Sequence, residues 1–218
     1  MSKDKALDIV LSEFLELAKV PRPSHHEERV SEYLFQWAKS HGLAVEKDSM
    51  NEIIIDKPAS PGCENVPRVI FQAHMDMVPQ KNNDTVHDFT KDPIETYIDG
   101  DWVKAKGTTL GADNGLGVAA IMAVLEDNSL KHGPLEALIT KDEETGMYGA
   151  FGLKPGTLKG EILLNLDSED EGELYIGCAG GIDLTATLEY KEEAPAADSV
   201  ARKITLKGLR GGHSGLEI

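Results

Sequence analysis

The chain has 218 residues, of which 40% are hydrophobic, and its 22 basic and 38 acidic side chains give a net charge of −16. This hydrophobic fraction is ample for a buried core and argues against general disorder. Because such an acidic surface repels phosphate backbones, we expect no nucleic-acid partner. No apolar run is long enough to span a bilayer, and Cys63 and Cys178 are too few for a disulfide framework. We therefore expect a cytoplasmic protein with reduced thiols and no membrane partner.

Two helices are predicted near the N-terminus. Apolar residues recur at helical spacing from Leu7 to Ala18, which predicts a helix packed on one face. Ser24 to Glu27 have the form of a capping box, which predicts that a second helix begins there and ends at Gly42.

Apolar strand-like runs alternate with helical segments in the middle of the chain. A hairpin is predicted over 94–105, with Asp99-Gly100 as its turn, and an apolar helix over 116–125. Buried strands are predicted at 53–55, 69–73, 135–139 and 162–166. This alternation predicts an α/β fold with a central, mostly parallel or mixed sheet flanked by helices, and ligands at the carboxyl ends of the strands.

The pattern changes after residue 181. Apolar and polar residues alternate strictly over 182–190 and again over 203–206, which predicts strands with one face in water. We therefore predict two domains. The first covers residues 1–181, and residues 182–218 form a connection and the beginning of a second, antiparallel domain.

A histidine and several carboxylates follow the ends of the predicted elements. His74 and Asp76 lie two residues apart just past a strand, so their side chains point to the same side, as in a metal-bound imidazole oriented by a carboxylate. Taken singly, each group has a plain alternative as a strand-end pair, a helix cap, an acidic turn or a surface loop. However, these groups follow one after another at the ends of the predicted strands and helices, which favours one shared site. The candidates are His74, Asp76, Asp113, Glu143, Glu144 and Asp167.

The donor types in this set indicate a metal centre. One imidazole nitrogen and several carboxylate oxygens suit Zn²⁺, Mn²⁺ or Co²⁺. Asp113 could bridge two metals, and of the neighbours Glu143 and Glu144 one could bind metal while the other takes a proton from water. The residues thus predict metal-assisted hydrolysis and leave open which bond is cut.

The motifs resemble, in order along the chain, those of the co-catalytic zinc peptidases, the family that includes carboxypeptidase G, the aminoacylases and the carnosinases. The stretches 72–81, 107–118 and 164–181 are most similar to members that cleave Xaa-His dipeptides. The resemblance covers essentially the whole chain. Its motifs lie at 74–76, 111–115, 142–146, 165–167 and 212–215.

The resemblance implies a dinuclear site with two divalent ions, zinc in the first place and manganese or cobalt as alternatives. It implies that His74 and Asp167 bind one metal and Glu144 the other, that Asp113 bridges them, and that Asp76 orients the histidine. It also implies the fold: residues 1–181 are the N-terminal part of a zinc-peptidase-type catalytic domain, and residues 182–218 lead into the start of an α+β lid domain.

The resemblance further implies that Glu143 is the general base, that His213 stabilises the developing oxyanion, and that the full-length protein is a homodimer acting on small peptides. The family's second metal is completed by another histidine near the C-terminus of a longer chain, which nothing here matches. We therefore expect an N-terminal portion with a weakened metal position and little or no activity alone. The alternatives are an aminoacylase or tripeptidase with the same residues, or a non-catalytic metal-binding module.

Overall fold

The structure is a computed structural model that describes residues 3–168, 170, 172–178, 180, 182 and 184–208. The chain divides into two units, Met1–Glu169 and Asp170–Ile218. Within the described residues, no helix combines the length and the apolar character that crossing a membrane requires.

A mixed five-stranded sheet forms the centre of the first unit. The strands of the chain are β1 Ala44–Lys47, β2 Ile53–Lys57, β3 Val69–His74, β4 Thr96–Asp99, β5 Trp102–Ala105, β6 Leu135–Thr140 and β7 Ile162–Asn165. The five-stranded sheet has the order β1-β2-β6-β3-β7, and β4 and β5 form a separate hairpin. Strand β3 runs parallel to β6 and β7, while β1–β2 and β2–β6 are antiparallel. The predicted mixed α/β sheet is confirmed.

Among the described residues four helices accompany the sheet, and the main core lies where they pack against it. They are α1 Lys3–Leu17, α2 Glu28–Ser40, α3 Ala112–Glu126 and α4 Tyr148–Gly152. Helix α3 contacts α1 and β3, and its apolar side chains are buried almost all round, as expected of a helix between two layers. The most buried core side chains include Leu17, Leu34, Ile53, Ile55, Ile121, Met122 and Ile139.

The parallel register brings three strand ends to one edge of the sheet. His74 of β3 pairs with Thr140 of β6, and Gln72 of β3 pairs with Asn165 of β7. The residues that follow these strands therefore leave the sheet side by side. The site predicted from the sequence lies at this edge.

Some predicted element boundaries need correction. Helix α2 begins at Glu28, and its N-cap residue, Glu27, makes no side-chain capping bond, so the predicted capping box is wrong. Because Asp99 pairs with Trp102, the hairpin loop is Gly100-Asp101, one residue later than predicted. Strand β1 and helix α4 were not predicted.

The strands predicted at 182–190 and 203–206 are absent from the described part of those segments. A strand exists only through backbone pairing with a neighbour, and an apolar face needs a layer to cover it. Leu184, Leu188 and Ile204 are 92%, 84% and 97% exposed, so alternation alone did not produce a sheet there. The boundary between the two predicted domains stays a prediction.

Candidate metal centre

His74 lies at the centre of the site, with only 1% of its surface exposed. Its Nε2 atom is 3.0 Å from Asp113 Oδ1, 3.5 Å from Asp167 Oδ1 and 3.8 Å from Glu143 Oε2. These carboxylates come from the start of α3, the segment after β7 and the loop after β6. One imidazole edge thus faces acidic groups from three separate elements.

The predicted ligands form two overlapping groups. Candidate ligand atoms of His74, Asp113 and Asp167 all lie within 4.8 Å of one another, and so do those of His74, Glu143 and Glu144. Imidazole nitrogen combined with carboxylate oxygen is the donor set that zinc, manganese and cobalt accept. The structure therefore brings together all the predicted ligands, and their chemistry fits a divalent cation.

Asp76 connects His74 to the loop after β6. Its Oδ1 is 3.2 Å from His74 Nδ1, and the carboxylate accepts hydrogen bonds from the backbone N–H groups of Glu143 (3.1 Å) and Glu144 (3.3 Å). The Ser24 hydroxyl donates to Oδ2 at 2.8 Å. Burial raises the pKa of the Asp76 carboxyl, but the hydrogen bonds from His74, Ser24 and the backbone outweigh it and hold the pKa below its usual value.

The acidic groups strongly influence one another's protonation. Burial lowers the pKa of His74, yet hydrogen bonds to Asp113, Asp167 and Asp76 outweigh that effect and raise it to about 12. Burial and then the charge of Asp113 raise the pKa of Glu144 to about 7. Burial also raises the pKa of Glu143. The site thus concentrates more negative charge than one imidazolium offsets, which favours a bound cation.

The backbone at the start of α3 is irregular and turns Asp113 toward His74. Gly111 caps the helix in the left-handed region with φ 74°, while Asp113 and Asn114 have non-helical dihedral angles. The helix is therefore interrupted at Asp113 and Asn114, and its regular part follows them. Half of the Asp113 side chain is shielded from solvent, and its Oδ1 contacts the imidazole.

Arg22 and Ser24 contact residues of the candidate site, and the sequence reasoning missed them. Arg22 is 1% exposed and donates from Nη1 to Met75 O (3.0 Å) and Asp76 O (3.1 Å). Its segment pairs with the segment that follows β3, since the Met77 N–H donates to Arg22 O. The available signal was an arginine enclosed by two prolines, which the helix-end interpretation did not use.

A cavity of about 280 Å³ opens beside the carboxylates. This volume is at the small end of ligand sites, which suits a small substrate. Its lining residues are Val78, Thr109, Leu110, Gly111, Ala112, Asp113 and Glu144. The predicted oxyanion-stabilising residue, His213, lies outside the described residues.

Residues 70–199 match the family model described as Peptidase family M20/M25/M40. In addition, the chain is 60% identical over 205 residues to the cytosol non-specific dipeptidase of Escherichia coli (strain K12). That match covers 94% of this chain and 42% of the relative, so the chain spans less than half of the relative's length.

Solved structures show the same likeness. The structure resembles aminoacylhistidine dipeptidase from Vibrio alginolyticus with a TM-score of 0.76 and 57% identity, over 78% of this chain and 34% of that one. It resembles the aminopeptidase PepT from Bacillus cereus with a TM-score of 0.64 and 25% identity, over 75% and 44% of the two chains. The likeness therefore extends from the motifs to the described fold.

Proposed function

The chain belongs to peptidase family M20/M25/M40, as its motifs predicted, and from that premise we propose that the full-length protein is a metal-dependent dipeptidase. Its proposed substrates are short peptides, with Xaa-His dipeptides foremost. The observation that carries the proposal is the approach of three carboxylates to Nε2 of the buried His74. The names of two relatives, a non-specific dipeptidase and an aminoacylhistidine dipeptidase, support the substrate class.

In this proposal His74 and Asp167 would hold one divalent ion, Glu144 would hold a second, and Asp113 would be shared between them. The group of His74, Asp113 and Asp167 supports the first ion, and Glu144 lies near the same imidazole in a second group with Glu143. When bound, such ions lower the pKa of a water molecule and polarise a carbonyl group. Zinc is the proposed metal because the family resemblance puts it first, and the donor set of imidazole nitrogen and carboxylate oxygen also accepts manganese or cobalt.

Glu143 is the proposed general base. Its backbone N–H is anchored on Asp76, and its carboxylate reaches the imidazole edge where the candidate ligands converge. Because burial raises the pKa of Glu143, this carboxyl is better suited than an exposed glutamate to accept a proton near neutral pH. It would take the proton from water and return it to the leaving amine.

Replacing Glu143 tests the assignment. In the full-length gene product, we expect Glu143→Gln to lower the hydrolysis of an Xaa-His dipeptide by about 10²–10⁴-fold, the usual contribution of a general base. Metal content, measured by elemental analysis, should stay at the parent value. The exposed Glu161→Gln is the matched control and should leave both unchanged. Parent-level hydrolysis by Glu143→Gln would contradict the role of this residue.

Metal stoichiometry tests the centre independently of turnover. The full-length gene product is dialysed against trace zinc and analysed for bound metal. Two ions per chain support the dinuclear proposal, one ion supports a mononuclear centre, and none contradicts a metal centre built on these residues.

A panel of substrates separates the proposed activity from its close alternatives. A dipeptidase requires a free amino terminus, whereas an aminoacylase accepts N-acyl amino acids. The 25% identity to an aminopeptidase is well below the 57–60% identity to the dipeptidases, which favours dipeptides. We also propose a cytoplasmic location, which the name of the E. coli relative supports, and a homodimer, which only the family resemblance supports.

A further inference from the structure

We propose that Arg22 is a positioning residue for the metal centre, and that its guanidinium holds together the two backbone segments that carry His74 and Asp113. The inference rests on the proposed metal centre. Arg22 is itself no candidate ligand. It acts by fixing where the ligands sit.

The contacts of Arg22 reach both ligand-bearing segments at once. Nη1 donates to the carbonyl oxygens of Met75 and Asp76, which directly follow His74 in the chain. Nη2 donates to the carbonyl oxygen of Gly111, two residues before Asp113. A planar guanidinium with several fixed N–H groups can span two segments in this way, whereas an ammonium is a compact point donor.

Two glycines make room for this guanidinium. A Cβ atom placed on Gly111 would lie 2.6 Å from Arg22 Nη2, and one placed on Gly115 would lie 2.5 Å from the same atom. Real Cβ atoms essentially never come so close to a neighbour. The glycines that begin and end the stretch 111–115 therefore complement Arg22, and the Asp113 segment is shaped around its side chain.

The charge of Arg22 also suits this position. Burial lowers the pKa of Arg22 to about 10, with Asp76, Asp113 and Glu144 opposing that shift, so the side chain stays protonated at neutral pH. The hydrogen bonds described for its Nη atoms go to carbonyl oxygens. A fixed positive charge thus lies beside the acidic cluster.

Lys57 provides a matched control at the opposite end of α3. This buried ammonium donates to the carbonyl oxygens of Leu125 (2.7 Å), Asp127 (3.0 Å) and Val124 (3.4 Å). Like Arg22, it is a buried cation bonded to three backbone carbonyls. It lies at the far end of α3 from Asp113. Its replacement therefore tests how the loss of a buried cation affects stability without changing contacts at the proposed metal centre.

The experiment is a Co²⁺ titration of the metal-free protein and its variants, followed by visible absorption, with urea unfolding in parallel. We expect Arg22→Met to bind Co²⁺ about 10–100-fold more weakly, as for the loss of other groups that support ligands, and to have altered absorption bands. Lys57→Met should lower the urea midpoint but keep the parent affinity and spectrum. Arg22→Lys, which keeps the charge but not the planar fork, should fall between parent and Arg22→Met.

Gly115→Ala approaches the same question from the other side, because its new methyl group displaces the guanidinium while Arg22 is retained. We expect weaker Co²⁺ binding here too. Parent-like affinity and spectrum in Arg22→Met, or an equal loss in Lys57→Met, would overturn the proposal. If Arg22→Met does not fold, parent-like binding by both Arg22→Lys and Gly115→Ala overturns it. A parent protein that binds no Co²⁺ would refute the metal centre itself, which is a separate result.

Discussion

Asp76 and Glu52 are two carboxylates with no exposed surface, and the protein treats them in opposite ways. Asp76 receives hydrogen bonds from a hydroxyl and two backbone N–H groups besides its contact with His74, and its pKa is lowered. Neither carboxylate oxygen of Glu52 makes a well-formed hydrogen bond among the described residues, although Asp48 and the Lys141 backbone lie close enough to influence its pKa. Burial, followed by the charge of Asp48, raises the pKa of Glu52 to about 7. Convergent donors therefore decide whether a buried carboxylate stays charged.

The difference also separates two mechanical roles. The carboxylate of Asp76 joins the segment of Ser24, the imidazole of His74 and the loop of Glu143 and Glu144. It thereby holds several parts of the proposed centre in one arrangement. Glu52 makes no such well-formed hydrogen bonds in the described part of the chain, so its ionised form is unfavourable for the fold.

The largest effect is expected from Asp76→Ala. This change removes the carboxylate that contacts His74 Nδ1 and accepts from Ser24 and two backbone N–H groups, while Nδ1 keeps its contact with the backbone oxygen of residue 76. We expect about 3–5 kcal/mol lower stability in urea unfolding, the usual range for breaking a buried ion pair. We also expect Co²⁺ affinity to fall by about 10–100-fold. The exposed Asp84→Ala is the control and should change neither quantity. Parent-like stability and Co²⁺ affinity in Asp76→Ala would show that this carboxylate does not hold the centre together.

An intermediate effect is expected from Ser24→Ala. Its hydroxyl bonds a charged carboxylate, so we expect a loss of about 1.5–3 kcal/mol in the free energy of unfolding. Ser31→Ala is the matched change, since Ser31 is also buried but donates to the neutral carbonyl of Asn51, where about 0.5–1.5 kcal/mol is expected. Equal losses in the two variants would show that the charge of Asp76 adds nothing to its bond with Ser24.

The remaining effect concerns Glu52 and appears only as a dependence on pH. Its folded pKa is about 7 against an ordinary value of 4.5, so between these values the folded state binds more protons than the unfolded state. Stability from this group therefore falls as pH rises through that window and levels off above it. We expect Glu52→Gln to remove this component, so urea midpoints of parent and variant should differ more at pH 8 than at pH 4. An unchanged difference across that range would contradict the raised pKa.

Much of the sheet and the ligand set could be predicted from local sequence. Apolar runs at 53–55, 69–73 and 135–139 were recognisable because buried strands need continuous hydrophobic residues. The acidic residues after them could be grouped because parallel strands end at a common edge. Strand β1 was missed because its four residues are partly or fully exposed and carry no run of that kind.

The supporting residues could not be predicted from local sequence, because their partners lie far along the chain. Ser24 has the local signature of a helix cap, yet its hydroxyl bonds Asp76, 52 residues away. Arg22 followed a helix end, and its partners at Met75 and Gly111 become visible only once the chain is folded. The alternation over 182–190 failed for the same reason, since a strand depends on a neighbour that the pattern does not name.

The fit between Arg22 and its two glycines limits how this centre can be transplanted. A protein engineer who grafts residues 111–115 onto another scaffold transfers the bend and the acidic side chain, but leaves a void where the guanidinium belongs. Without that filling, glycines at both ends only loosen the grafted loop. A transplanted metal centre therefore needs three segments designed together: the glycine-bounded loop, the segment that follows β3 and the Arg22 segment.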